Sequence, residues 1–210
     1  MKQNQYSLAA ANKGLEFDHQ VFLVLSYTSM RARELIALKW KDIDFNNYTI
    51  SITKTYYNPT NNTVKYQLVA PKTRSSRRTI IVDEIIINTL MAHKEKQDRV
   101  KAHYKDQYHN EEFIFARSER KPGYPFIVKT VETRMARLLK IAGLNEDLTP
   151  HSLRHTHTSL LAEAKVGLEE IMDRLGHSDD STTRNVYLHI TTELKNEASQ
   201  KFSELMRNLE

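Results

Sequence analysis

A mainly helical α+β fold with a small three-stranded antiparallel sheet is predicted for this chain of 210 residues, on three observations. Glycine and proline number only 5 each, too few for the many tight turns of a sandwich or barrel. Apolar residues recur at helical spacing over most of the chain. The strand period of two is confined to the stretch from Tyr48 to Val82.

In order, the first helix is expected at Glu16–Tyr27, where Phe17, Val21, Leu23, Val24 and Leu25 make it apolar nearly all round and therefore buried. A second, Arg31–Leu38, follows Thr28 and Ser29, which supply capping chemistry for its start. Three β-branched, alternating segments come next: Tyr48–Lys54, Tyr66–Ala70 and Arg78–Val82. Polar turns at Asn58–Asn62 and Lys72–Ser76 separate them, and the three are expected to form one sheet. Asp83 opens a helix running towards Val100, and Glu112–Ala116 is a short apolar segment. Helices at Ile127–Ala142, Ser152–Ala164, Leu168–Leu175, Thr182–Tyr187 and Thr192–Leu209 complete the expectation.

Composition narrows the function classes. There is no cysteine, which excludes disulfides, thiolate nucleophiles and iron–sulfur clusters. The longest apolar runs fall far short of the roughly 20 residues of a membrane span, and residues 1–7 lack a signal-peptide core. A cytoplasmic location is expected. Net charge is +5, with a sequence pI near 9.2, which permits a polyanionic partner. The bases are clustered: Lys72, Arg74, Arg77 and Arg78 sit together without an acid, and seven bases face two acids between Arg117 and Lys140.

His151, His155 and His157 invite a metal-hydrolase reading, but Ser152 stands where the zinc peptidase pattern requires a glutamate. Phosphate chemistry fits the surroundings better. His151-Ser-Leu-Arg154 places a histidine and an arginine at a helix start where both can aim at one anion, and Arg31 opens a helix after a short turn. Lys72 lies on a hairpin, His177 follows the helix-ending glycine of Leu175-Gly176-His177, and Tyr187 follows ten residues later.

Taken in this order, the segments resemble the catalytic domain of the tyrosine recombinases, or phage-type integrases. The resemblance runs from Tyr27 to His189: Thr28-Ser-Met-Arg31-Ala-Arg-Glu34-Leu, the hairpin lysine, His151-Ser-Leu-Arg154-His-Thr, Leu175-Gly-His177 and the terminal tyrosine. It implies a site-specific DNA recombinase whose catalytic set is Arg31, Lys72, His151, Arg154 and His177, with Tyr187 as nucleophile. It implies double-stranded DNA as partner, a homotetramer on DNA for the full-length protein, a monomer for the isolated domain, and no cofactor or metal. Relatives carry core-binding and arm-binding domains at the N-terminus, so residues 1–210 are expected to form a single catalytic domain without them.

The residue types suit that chemistry. A phenol, with pKa near 10, attacks phosphorus and also leaves well, so bond energy survives in a 3′-phosphotyrosyl link. Arginines hold the two non-bridging oxygens with planar forks charged at any working pH. Lys72 is assigned protonation of the departing 5′-oxygen, although Lys65, Arg74, Arg77 and Arg78 are near enough in sequence to exchange roles with it. By the same resemblance His151 moves protons at the tyrosine and His177 bonds a non-bridging oxygen; Glu34 and Trp40 are assigned to packing and hydrogen bonding.

Three positions depart from the family pattern: Ser29 stands for the usual glycine, Arg33 for a small residue, and Asp180 for an apolar one. The tail from Thr191 presents Leu194, Ala198, Phe202 and Leu205 or Met206 along one face, which by resemblance docks on a neighbouring subunit. Two related readings share the motifs: a non-catalytic DNA-binding relative, and a type IB topoisomerase-like enzyme with the same covalent step.

Overall fold

The computed structural model describes residues 14, 15, 17–177 and 181–207. Its elements are α1 (Asp18–Thr28), α2 (Ala32–Ile36), β1 (Ile43–Asp44), β2 (Thr49–Ile52), β3 (Thr55–Tyr57), β4 (Gln67–Val69) and β5 (Arg78–Ile81), followed by α3 (Glu84–Tyr104), α4 (Val128–Ile141), α5 (Pro150–Glu163), α6 (Leu168–Leu175) and α7 (Ser181–Arg207). This is the mainly helical α+β class with small antiparallel sheets.

Local chemistry explains most boundaries. Asp83 caps α3, its carboxylate accepting from the Ile85 N–H at 2.9 Å. Pro150 takes the first turn of α5, where its missing N–H costs nothing, and the Thr149 N–H donates to Ser152 Oγ at 3.1 Å. Gly176 ends α6 in the left-handed region, at φ 71°. The tail differs from expectation. A single helix runs through Tyr187 to Arg207, because nothing between Leu188 and Thr192 is a glycine or proline, and the Thr191 hydroxyl bonds back to the Tyr187 carbonyl at 2.9 Å.

The sheet also differs. β1, β2 and β5 form the three-stranded antiparallel sheet, with Ile50 opposite both Ile43 and Ile80, whereas β3 and β4 pair separately, Thr55 with Val69. Tyr66–Ala70 therefore does not join the larger sheet, and the two-residue β1 takes the expected third place. The break falls at Lys54, which shares strand parity with the buried Ile50 and Ile52. Its ammonium turns to the largely buried Asp42, at 2.7 and 2.5 Å from the two carboxylate oxygens. A lysine on the inward face has to find such a partner, and the ladder is interrupted where it does.

One large core joins α1, α2, the three-stranded sheet, α3 and α4. Val21, Val24, Leu35, Ile36, Ile50, Ile86 and Val131 are fully buried in it. A satellite cluster of Ala162, Ile171 and Leu175 packs Tyr187 and Ile190 of α7 against α5 and α6. Asp18, fully buried, binds Arg134 at 3.0 Å and Arg137 at 2.7 Å, so two of the seven bases between Arg117 and Lys140 are paired with an acid of α1. Among the described residues no helix is long and apolar enough to cross a membrane.

Candidate active site

Between the large core and the satellite cluster lies a cleft of about 440 Å³, whose lining includes Arg31, Arg33, Lys72, Ser76, Gly176 and His177. Arg31 is the N-cap residue of α2, entered through a left-handed turn at Ser29, φ 52°. That φ is why glycine suits the position. Here the serine is held by its hydroxyl on the Thr28 carbonyl at 2.6 Å and by its N–H on the Leu25 carbonyl at 3.0 Å.

Arg154, 3% exposed on α5, is fixed from two sides: one Nη donates to the Ser29 carbonyl at 2.7 Å, the other to the Leu175 carbonyl at 2.5 Å. The latter Nη also reaches His177 Nε2 at 2.7 Å, and an Arg31 Nη reaches the same nitrogen at 3.0 Å. Guanidinium groups only donate, so Nε2 accepts. In the neutral ring Nδ1 then carries the hydrogen and donates to Thr183 Oγ1 at 3.0 Å. Two arginines from different helices thus converge on one acceptor position at the mouth of a basic cleft. Two guanidinium forks on one acceptor position are chemically suited to an oxyanion.

Arg31 is aimed by Glu34. The buried carboxylate accepts from the Arg31 N–H at 2.9 Å and from its guanidinium at 2.8 Å, and also pairs with Arg78 at 3.0 Å. Burial alone would push this carboxyl up, but Arg78 and Arg31 outweigh it and hold it below the usual carboxylate range. Glu34 thus does the hydrogen bonding assigned to it, and Trp40, buried, donates its indole N–H to Gln97 at 2.6 Å.

Lys72 is exposed on the hairpin loop and lines the cleft, as does Arg33. His151, in the first turn of α5 and exposed, meets the His155 ring edge-on at 4.6 Å. Tyr187 sits partly buried against the satellite cluster, and its hydroxyl bonds to no described residue. It lies four residues after Thr183 on α7, the same face one turn further along, about 6 Å in rise from the His177 contact. The structure therefore joins Arg31, Arg154 and His177 directly and sets Lys72 in the same cleft. His151 and Tyr187 lie on the neighbouring elements α5 and α7. Asp180 lies outside the described residues.

The histidine trio does not converge. His157 turns inward, Nδ1 donating to the Ser26 carbonyl at 2.9 Å and Nε2 accepting from Arg174 at 3.2 Å. Among the described residues no three His, Cys, Asp or Glu side chains are placed to hold one metal ion. Burial first, and then Arg174, lower the His157 pKa from 6.5 to about 4. The folded state thus binds fewer protons than the unfolded chain between these values, so this stability is complete above pH 6.5 and lost as pH falls towards 4. Between pH 7.5 and 4.5 the natural chain is expected to lose about 2.5 kcal/mol more stability than His157→Gln, measured by urea denaturation. Equal losses would contradict the assignment.

Two residues were not legible as functional neighbours. By sequence proximity Arg78 is interchangeable with Lys72, but its side chain is 6% exposed beneath the cleft and paired with Glu34. Strand parity carried the signal: Arg78 shares a face with the buried Ile80 and Val82, and an inward arginine needs a buried acid. Thr183 carried none, since a threonine early in a helix is ordinary.

The model of the phage integrase family matches residues 2–193. The integrase of Staphylococcus phage L54a is 35% identical over 186 residues, 87% of this chain and 51% of that protein. A XerC-like tyrosine recombinase of Caldanaerobacter subterraneus is 30% identical over 198 residues, 88% of this chain and 49% of its own length. Among solved structures, the Tn1549 transposon integrase in complex with transposon right end DNA superposes with a TM-score of 0.77 at 23% identity, covering 96% of this chain and 64% of that one. The XerA recombinase gives 0.69 at 22% identity, covering 94% and 61%. At those identities the structures speak for the fold. The chain spans about half the length of the curated relatives it matches. With the family model matching nearly its whole length, and the fold shared with solved recombinases, the chain belongs to the phage integrase family.

Proposed function

We propose that this chain is the catalytic part of a site-specific DNA recombinase that cuts and rejoins duplex DNA through a covalent tyrosine intermediate. The observation that carries the reading is the convergence of Arg31 and Arg154 on one acceptor position, held by His177 Nε2 at 3.0 and 2.7 Å, in a cleft lined by Lys72. A scissile phosphate takes that position. Its two non-bridging oxygens receive the guanidinium hydrogen bonds, and the arginines carry the charge of the pentavalent transition state.

Tyr187 Oη attacks phosphorus, its proton passing towards His151, while the bond from phosphorus to the 5′-oxygen breaks and Lys72 supplies the proton to that oxygen. The products are a 3′-phosphotyrosyl link and a free 5′-hydroxyl. Attack by the 5′-hydroxyl of a second DNA reverses the step and returns the phenol. Once the phosphate oxygens have taken the arginine hydrogen bonds, His177 donates to a non-bridging oxygen by carrying a proton on Nε2, gained by protonation of the ring or by moving its hydrogen from Nδ1. The reading that this chain exchanges strands rather than only relaxing supercoils draws on the relatives, which are named as integrases, a XerC-like recombinase and a Tn916 transposase.

The test is formation of a detergent-resistant adduct on a suicide core-site duplex. Within it, Lys72 has its own signature. Lys72→Ala is expected to slow cleavage about 100-fold on ordinary DNA. It should approach the natural chain on DNA with a 5′-bridging sulfur, because a thiol of pKa about 8.5 leaves without protonation. Equal loss on both duplexes would remove Lys72 from the proton-donor role.

For assembly, we propose that the end of α7 docks on a second copy on DNA and that the free domain is a monomer. From Lys195 to Arg207 every residue is exposed, and Phe202, Leu205 and Met206 stand 62%, 57% and 48% exposed, an apolar set no described neighbour covers. Sedimentation velocity with and without duplex checks this; no higher species on DNA would contradict it.

A further inference from the structure

We propose that Arg78, a residue outside the expected catalytic set, is a positioning residue that aims Arg31 through Glu34, its fork anchored on the loop of Lys72 and on the last turn before His177; this rests on the reading of the cleft given above. Arg78 begins β5 opposite Ile52 and points inward, its side chain 6% exposed. Its fork is spent on three acceptors, and each belongs to a segment bearing one of the functional side chains.

The first acceptor is Glu34. Arg78 Nη2 donates to Oε2 at 3.0 Å and Nη1 to Oε1 at 3.4 Å, and these two oxygens are the ones that receive the Arg31 N–H and guanidinium. The carboxylate is shared between two forks, so a displacement of Arg78 is passed to Arg31. The second is the Ser76 carbonyl, at 3.2 Å from Nη1. Ser76 closes the loop that begins at Lys72: its N–H donates to the Thr73 carbonyl at 3.3 Å, and its hydroxyl lies 2.8 Å from that of Thr73. The third is the Arg174 carbonyl in the last turn of α6, at 2.8 Å from Nε, three residues before His177.

The packing around this fork leaves no slack. A Cβ on Gly176 would come within 2.9 Å of Arg78 Nη1, 3.0 Å of its Cδ and 3.0 Å of the Ser75 carbonyl. Glycine is required there both by φ 71° and by the guanidinium beneath it. The turn carrying His177 therefore rests directly on Arg78. One planar group with donors in three directions can serve these three segments at once, and a lysine, a point charge on a flexible stem, cannot.

A residue that merely stabilises the sheet would lower the melting temperature and leave the chemistry of folded protein unchanged. A positioning residue acts through Arg31. The experiment measures single-turnover cleavage of a suicide core-site duplex at saturating protein, with folding verified by far-UV circular dichroism and duplex Kd measured separately. Arg78→Lys is expected to cleave about 50-fold more slowly than the natural chain while its Kd stays within about threefold. In an Arg31→Lys background the same change should cost less than about threefold, since the arginine it aims is already gone. Asp42→Asn, which breaks a buried pair away from the cleft, should lose stability and keep its cleavage rate. Cleavage by Arg78→Lys within threefold of the natural chain overturns the proposal, as does a full 50-fold loss retained in the Arg31→Lys background. Should Arg78→Lys fail to fold, Glu34→Gln is put through the same cycle, and either no loss alone or a fully additive loss overturns it. Absence of any adduct from the natural chain would instead sink the reading of the cleft.

Discussion

Tyr187→Phe is expected to yield no covalent protein–DNA adduct on a suicide duplex, while binding that duplex within about threefold of the natural chain. The two halves have different physical origins. Removing the phenol oxygen removes the only atom of that side chain able to bond phosphorus, and no neighbouring group restores it. Binding is retained because affinity for DNA comes mostly from phosphates neutralised by lysine and arginine, and Tyr187 contributes no charge. The ring keeps its place against Ala162, Ile171 and Leu175 in either variant, and the hydroxyl bonds to no described residue. The melting temperature should therefore move by no more than about 1 °C. Gel shift, denaturing electrophoresis and a thermal melt read the three quantities. Persistence of an adduct at the natural level would reassign the nucleophile.

Arg154→Lys carries the second large effect, and it divides between stability and rate. The guanidinium is 3% exposed and satisfies two buried carbonyls, Ser29 at 2.7 Å and Leu175 at 2.5 Å. A lysine reaches one of them at most and leaves the other buried without a donor, a loss of about 2 kcal/mol. For a domain of this size the melting temperature should fall by roughly 6 °C. At temperatures where the variant stays folded, cleavage should fall about 1000-fold, the range found when a preorganised donor to a developing oxyanion is removed. Cleavage within tenfold of the natural chain would contradict the placement of Arg154 on the phosphate.

Much of this site was legible in the sequence because its parts occupy segments that local rules define well. Gly176 ends α6 where a helix-terminating glycine is expected, which places His177 just beyond the helix. Pro150 and Thr149 fix the start of α5, which places His151 in the first turn and Arg154 one turn in. What the sequence concealed depends on contacts between distant segments. β1 is two residues long, too short to show a period, so its claim on the edge of the sheet appears only when Ile43 meets Ile50. Lys54 reads as one more strand residue until Asp42 draws it out of the ladder. The continuity of α7 was hidden by Thr191 and Thr192, whose β-branching lowers helix propensity without ending a helix that carries no glycine or proline. Clustering alone makes Arg78 one of the interchangeable bases of the hairpin, whereas strand parity with Ile80 and Val82 turns it inward. The base cluster from Arg117 to Lys140 likewise reads as unpaired until Asp18, distant in sequence, binds Arg134 and Arg137.

The central claim is that strand cleavage passes through a phosphodiester between Tyr187 and the 3′ end of the cut strand, with the arginines supplying the positive charge. The most direct measurement incubates the natural chain with a suicide core-site duplex in excess EDTA, digests the adduct with trypsin and nuclease, and locates the nucleotide by tandem mass spectrometry. The account predicts one modified peptide, carrying a 3′-phosphonucleotide on Tyr187, with the yield unchanged by chelator. A nucleotide on any other residue, or cleavage that chelator abolishes, would contradict it.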